Sequence, residues 1–166
     1  TELLAAADEA RRAPIARPRL FLKVAPDLDA AAIDAIARAA AAHHVDALIV
    51  SNTTISRPPL LSAHAGETGG LSGAPLAALA RQRLADFRAA TGGAIPLISA
   101  GGIDSADEAY ARIRAGASLV QLYTALVYQG PGLARRIVRG LANTLKRDGF
   151  ATVAEAVGTS ERHRAA

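Results

Sequence analysis

The chain has 166 residues, 51% of them apolar and 20% charged, with a formal net charge of +4. That length fits one domain and that apolar fraction is ample for a buried core, although much of it is alanine, which favours helix and buries little area per residue. The absence of cysteine excludes disulfides, thiolate metal sites and cysteine nucleophiles within the chain, and an aromatic content of 4% is too low for base-stacking platforms, so nucleic acid is not an expected partner. The basic residues are scattered (Arg11 and Arg12, Arg81 and Arg83, Arg135, Arg136 and Arg139, Arg162 and Arg164) and read as solvated helix faces. No window approaches the apolar length needed to span a bilayer. The start, Thr1-Glu2-Leu3-Leu4, has no signal-peptide pattern, and the chain contains no methionine; sequence upstream of Thr1 is expected to be missing.

Leu3 to Arg12 reads as the end of a helix. Leu20-Phe21-Leu22-Lys23-Val24 is a short continuous apolar run, as expected of a strand buried on both faces. Asp29 is the N-cap candidate of a helix with the stripe Ile33, Ile36, Ala37 and Ala40. Ala47 to Ser51 is a second strand. Residues Ile55 to Gly73 then form a loop of 19 residues rich in Pro, Gly, Ser and Thr. That exceeds the roughly 12–15 residues usual for a structureless connection, and loops of such length are commonly lids or binding loops. Pro75 opens a helix with Leu76, Leu79, Ala80, Leu84 and Phe87 on one face. Ile95 to Ser99 is a third strand, and Ser105 with Glu108 has capping-box spacing. Leu119 to Tyr123 is a fourth strand. Leu133, Ile137, Val138, Leu141 and Leu145 mark another helix, and Thr152 with Glu155 repeats the capping-box spacing for a short last one.

Strand and helix alternate four times, which implies parallel strands with right-handed crossovers. Four βα units fit half of an eight-stranded barrel or a small open sheet. No strand carries the dinucleotide fingerprint of an open doubly wound sheet, and every strand ends in polar or glycine residues, at the edge where barrel active sites lie. The expected fold is therefore α/β, the C-terminal half of a (β/α)8 TIM barrel, with residues 1–166 supplying strands 5–8 of a single domain. A half barrel alone leaves two sheet edges and one face uncovered, so an N-terminal half is expected elsewhere.

The strand ends carry the candidate chemistry. Gly101-Gly102 lets backbone N–H groups approach an anion, and barrels often hold phosphate in their last two βα loops; the plainer alternative is a tight turn. Thr124, next door, offers both an amide and a hydroxyl, while Tyr123 fits either the site or packing. Lys23, inside an apolar strand, suits a developing negative charge, or else pairs with Asp27 or snorkels. Asn52, Thr53 and Thr54 suit a planar ring with donors and acceptors, or simply a turn. Glu67 to Gly73 is a glycine-rich approach to the helix opened by Pro75. His43, His44, His64 and His163 lack metal-ligand spacing and read as surface or loop residues, and no metal is expected. Asp104, Asp107 and Glu108 read as helix-start charges.

Together these segments resemble the quinone-dependent (class 2) dihydroorotate dehydrogenases. The matching stretches are Phe21 to Leu28, Ser51 to Pro58, Glu67 to Gly73, Gly101 to Ser105 and Ala115 to Leu126, in the family's order and over nearly the whole chain. The resemblance implies an FMN barrel that oxidises dihydroorotate to orotate in pyrimidine (UMP) synthesis, passing electrons to a membrane quinone. It implies that Lys23 and Ser51 contact FMN, Ser51 standing where many relatives have threonine. Gly73 and Gly102 would contact FMN through their backbone, Tyr123 and Thr124 would close its phosphate site, and Asn52 and Thr53 would bind the substrate. The family's serine base, its quinone-binding N-terminal helices and its attachment to the cytoplasmic face of a bacterial membrane belong to the other half. No catalytic residue is therefore expected in this chain, Ser72 and Ser99 included, and the chain alone is expected to be inactive. Two other readings remain open: another FMN barrel of the dihydropyrimidine type, or a non-catalytic truncated module.

Overall fold

The computed structural model describes residues 2–12 and 17–162. Helix α1 (Glu2–Ala10) leads into strand β1 (Phe21–Val24), followed by α2 (Ala30–Ala42) and β2 (Ala47–Val50). After the long loop, a 3-10 turn (Ala74–Leu76) opens α3 (Ala77–Thr91), then come β3 (Leu97–Ala100) and α4 (Ala106–Arg114). Strand β4 (Ala117–Gln121) is followed by α5 (Thr124–Gln129), α6 (Leu133–Arg147) and the short α7 (Val153–Ala156) and α8 (Thr159–Arg162). The strands form one parallel sheet in sequential order, with Lys23 opposite Ile49, Ile49 opposite Ile98 and Ile98 opposite Leu119. Sequential order with a helix after every strand is four consecutive βα units of a TIM barrel.

Capping sets several boundaries. The Asp29 carboxylate accepts the Ala32 N–H at 2.8 Å, and the Ser105 and Thr152 hydroxyls accept from Glu108 and Glu155 at 3.3 Å each. The Ser105 box is only half made, because the Glu108 carboxylate turns to Arg112 and Arg81. Other boundaries differ from expectation. Strand β3 begins at Leu97 because Pro96 has no N–H to give the ladder, although its carbonyl accepts from Leu48. Strand β4 lies two residues earlier than predicted: Gly116, at φ +112°, turns the chain into the sheet, and small Ala117 is wholly buried. Tyr123 has therefore left the strand, and Thr124 opens α5, a helix that the periodicity did not reveal. Pro75 sits in the 3-10 turn, and the α-helix proper starts at Ala77. Val138 is 64% exposed: Leu133, Ile137, Thr144 and Leu145 define the buried face of α6, and Val138 falls one step of about 100° beyond Ile137.

Among the described residues the helices cover one face of the sheet. Val24, Leu48, Val50 and Leu97 meet Ile33, Leu84 and Phe87 of α2 and α3 in the main core, and α4 and α6 enclose a second cluster around Ile103, Ala109, Leu133 and Ile137. The alternating residues Phe21, at 49% exposure, and Leu119, at 60%, face the uncovered side. Among the described residues neither β1 nor β4 has a partner on its outer edge.

The charges are less solvated than their scatter suggested. Arg11 is buried, donating to Asp8 at 2.8 Å and to Asp46 at 2.5 Å, which ties α1 to the turn before β2. Arg112 is completely buried. His43 caps α2, His44 lies exposed in the next turn, and His64 pairs with Glu67 at 2.8 Å in the long loop. No metal-ligating cluster occurs among the described residues. Thr1, His163 and Arg164 lie outside them.

Candidate active site

The parallel register brings the chemistry-bearing residues to one edge of the sheet. Beyond Val50 the chain stays in the sheet: the Ser51 N–H donates to the Ala100 carbonyl at 3.1 Å and the Asn52 N–H to the Val24 carbonyl at 2.8 Å. Ser51 is buried, whereas Asn52 and Thr53 are exposed. The Asn52 side-chain oxygen accepts the Thr53 N–H at 2.9 Å. That leaves the Asn52 NH2 without a partner among the described residues, a donor pair for a ligand carbonyl or carboxylate.

Asp27, which the sequence offered only as a partner for Lys23, organises the start of the long loop instead. Its carboxylate accepts from the Thr54 hydroxyl, the Ile55 N–H at 3.1 Å and the Ser56 hydroxyl at 3.0 Å. Desolvation raises its pKa, but these hydrogen bonds outweigh it and hold the carboxyl below its ordinary value. The far end of the loop returns to the near end: Thr54 and Leu71 exchange backbone hydrogen bonds at 3.1 and 2.8 Å. Arg57 clips the two arms, donating to the carbonyls of Glu67 at 3.1 Å and Gly69 at 2.6 Å. Neither Asp27 nor Arg57 stood out in the sequence, because carboxylates and arginines beside loops are common and their partners lie 10 to 29 positions away.

The returning arm carries glycines past the strand ends. A Cβ on Gly70 would lie 1.9 Å from Thr53 Oγ1, and one on Gly73, at φ +78°, would lie 3.0 Å from Thr124 Cγ2. The Thr124 hydroxyl donates to Ser72 Oγ at 3.0 Å. The third loop abuts the same elements, since a Cβ on Gly102 would lie 2.5 Å from Ala77 Cβ at the start of α3. Gly73, Gly102 and Thr124 are thus brought round the ends of β2, β3 and β4, with Thr53 and Asn52 beside them. Among the described residues the N–H groups of Gly102 and Thr124 have no acceptor.

Lys23 stands apart from this cluster. It is exposed on the uncovered face of β1, beside Ile49, and makes no ion pair with a described residue. The Asp27 pairing is therefore absent, and the lysine is not enclosed by apolar neighbours within this chain. Tyr123 is 82% exposed, which removes core packing within this chain as its role. Ser99 faces the helices, where its hydroxyl accepts from Arg112 at 2.9 Å, so it is turned away from the site.

The family model for dihydroorotate dehydrogenase matches residues 1–145. The chain is 62% identical over 140 residues to the dihydroorotate dehydrogenase (quinone) of Novosphingobium aromaticivorans, covering 84% of this chain and 40% of that protein. It is 63% identical over 142 residues to the enzyme of the same name from Erythrobacter litoralis, covering 86% of this chain and 41% of that one. Its fold matches the crystal structure of an Eimeria tenella DHODH in complex with ferulenol, with a TM-score of 0.84 at 46% identity, covering 88% of this chain and 39% of that structure. The chain spans about 40% of the length of the curated relatives it matches. With four βα units, the strand-end cluster and this similarity, the chain belongs to the dihydroorotate dehydrogenase family.

Proposed function

We propose that the protein of which this chain is part oxidises dihydroorotate to orotate, with FMN as its flavin and a quinone as electron acceptor, in pyrimidine (UMP) synthesis. The observation that carries the reading is the junction of three loops at Gly73, Gly102 and Thr124, in a chain whose curated relatives from Novosphingobium aromaticivorans and Erythrobacter litoralis are named for a quinone. Its donors fit a phosphate: two backbone N–H groups without acceptors among the described residues, in loops where an added Cβ on Gly73 or Gly102 would strike Thr124 or Ala77. Gly73, Gly102, Tyr123 and Thr124 would hold the phosphate end of FMN, and Ser51 and Lys23 the ring. Lys23 supplies a cation with no carboxylate partner among the described residues. Asn52 and Thr53 would hold the substrate through the Asn52 NH2 and the Thr53 hydroxyl. A bound flavin supplies two-electron redox chemistry between substrate and quinone.

No residue of this chain is assigned as base. Ser99 accepts from Arg112 and Ser72 from Thr124; the serine base that the family resemblance implies would come from the other half of the barrel. The unpaired edges of β1 and β4 and the uncovered face with Phe21 and Leu119 are where that half would seat, completing one FMN-binding domain. No described helix is long and apolar enough to cross a membrane. A peripheral position on the cytoplasmic face of the cell membrane, reached through the other half, would bring the quinone to the flavin.

The test is the complete protein, purified and mixed with dihydroorotate without oxygen. A flavin spectrum that bleaches and recovers on adding a quinone is expected. A colourless protein, or a flavin that dihydroorotate leaves oxidised, overturns the reading.

A further inference from the structure

We infer that Arg112 is a positioning residue for the phosphate cradle, holding the Gly101–Gly102 loop against the start of α3 from behind. The inference rests on the flavin reading above and adds a residue to it. Arg112 lies on α4 and is wholly buried, yet its guanidinium reaches three other elements. It donates to Ser99 Oγ on β3 at 2.9 Å, to the Gly101 carbonyl at 3.0 Å, to the Ala77 carbonyl at 3.1 Å and to Glu108 Oε1 at 2.6 Å. Glu108 is itself held by Arg81 at 2.6 Å.

A buried charge is costly unless paired and hydrogen-bonded; this one is paired with Glu108, and each of its three nitrogens has an acceptor, while desolvation still lowers its pKa. Two of its bonds go to carbonyls at the cradle. Each anchors a peptide by its oxygen, Gly101 in the loop and Ala77 in the helix that the loop touches. The Gly101 carbonyl belongs to the same peptide unit as the Gly102 N–H, so fixing one end of that unit directs the other. With Gly101 at φ +104° and Gly102 at φ +73°, the loop has a conformation that few residues adopt, and Ala77 leaves no slack behind it. Only a planar fork with several donors reaches all these acceptors at once; a lysine ammonium radiates from one point. Arg112 therefore sets where the Gly102 N–H points without touching the ligand.

The discriminating experiment compares FMN with riboflavin, which lacks only the phosphate, on the apo form of the complete protein. Wild type is expected to prefer FMN strongly. In Arg112→Lys the ratio of the two dissociation constants should fall by about tenfold or more, while riboflavin affinity stays within about threefold, because the lost term acts only at the phosphate. Ser99→Ala, which removes one partner and keeps the guanidinium, should lower the ratio by a smaller factor and carries the test if Arg112→Lys does not fold. Equal weakening of both flavins, or an unchanged ratio in these variants, overturns the inference and leaves the flavin reading standing. A wild-type protein that binds both flavins equally, or neither, overturns the flavin reading and this inference with it.

Discussion

Gly70 lies so close to Thr53 that a Cβ on the glycine would stand 1.9 Å from the threonine Oγ1. The long loop therefore presses directly on the proposed substrate residues. Gly70→Ala should displace Thr53 and weaken orotate by about 1–3 kcal/mol, the usual cost of leaving a polar group of an enclosed ligand unpaired, while FMN stays bound. Orotate titration followed through the flavin spectrum checks this; an unchanged affinity would detach the loop from substrate binding.

Lys23 makes no ion pair with a described residue and is exposed on its strand. In the complete protein Lys23→Ala should leave the fold intact while slowing flavin reduction. Rapid mixing with dihydroorotate measures the rate, and an unaltered rate would remove Lys23 from the site.

Asp8 is held to a pKa of about 2, chiefly by the hydrogen bond from Arg11, opposed by burial and aided by Arg12. A carboxylate depressed in the folded state stabilises fully above its unfolded pKa of about 4 and loses that contribution as pH falls toward 2. Asp8→Asn should therefore lower the unfolding temperature at about pH 6, with the gap to wild type narrowing by about pH 3. Thermal unfolding of both proteins across that range is the measurement, and parallel curves would mean that the Asp8 carboxylate does not stabilise the fold through Arg11.

Gly102 is packed against the start of α3, since an added Cβ would lie 2.6 Å from Ala77 Cα. Gly102→Ala should lower both FMN occupancy after gel filtration and the unfolding temperature of the apoprotein, whereas a purely ligand-facing glycine would affect occupancy alone.

How far the sequence carried the account follows from the range of its signals. The four strands and main helices were legible because buried parallel strands and amphipathic helices repeat over a few residues, and Asp29, Ser105 and Thr152 cap as their spacing implied. The proposed site residues stand out in the sequence as polar strand ends, and their proposed roles rest on the family resemblance. The supports were not legible. Arg112 looks like any helix-surface arginine until Ser99, 13 positions earlier, and Ala77, 35 positions earlier, are seen beside it. The shift of β4 was hidden too, because Ala117 and Ser118 have weak strand propensity and enter the sheet through burial. Helix α5, six residues long, is too short for periodicity to register.

On the reading proposed above, this chain holds half of a barrel and half of a site. Four parallel strands leave two open edges, and an uncovered face carries Phe21 and Leu119 with no opposing layer among the described residues. The direct measurement is size-exclusion chromatography of residues 1–166 expressed alone, followed by a dye-reduction assay with dihydroorotate. A poorly soluble or oligomeric chain without turnover is expected; a soluble monomer that oxidises dihydroorotate would overturn both the half-barrel and the half-site reading.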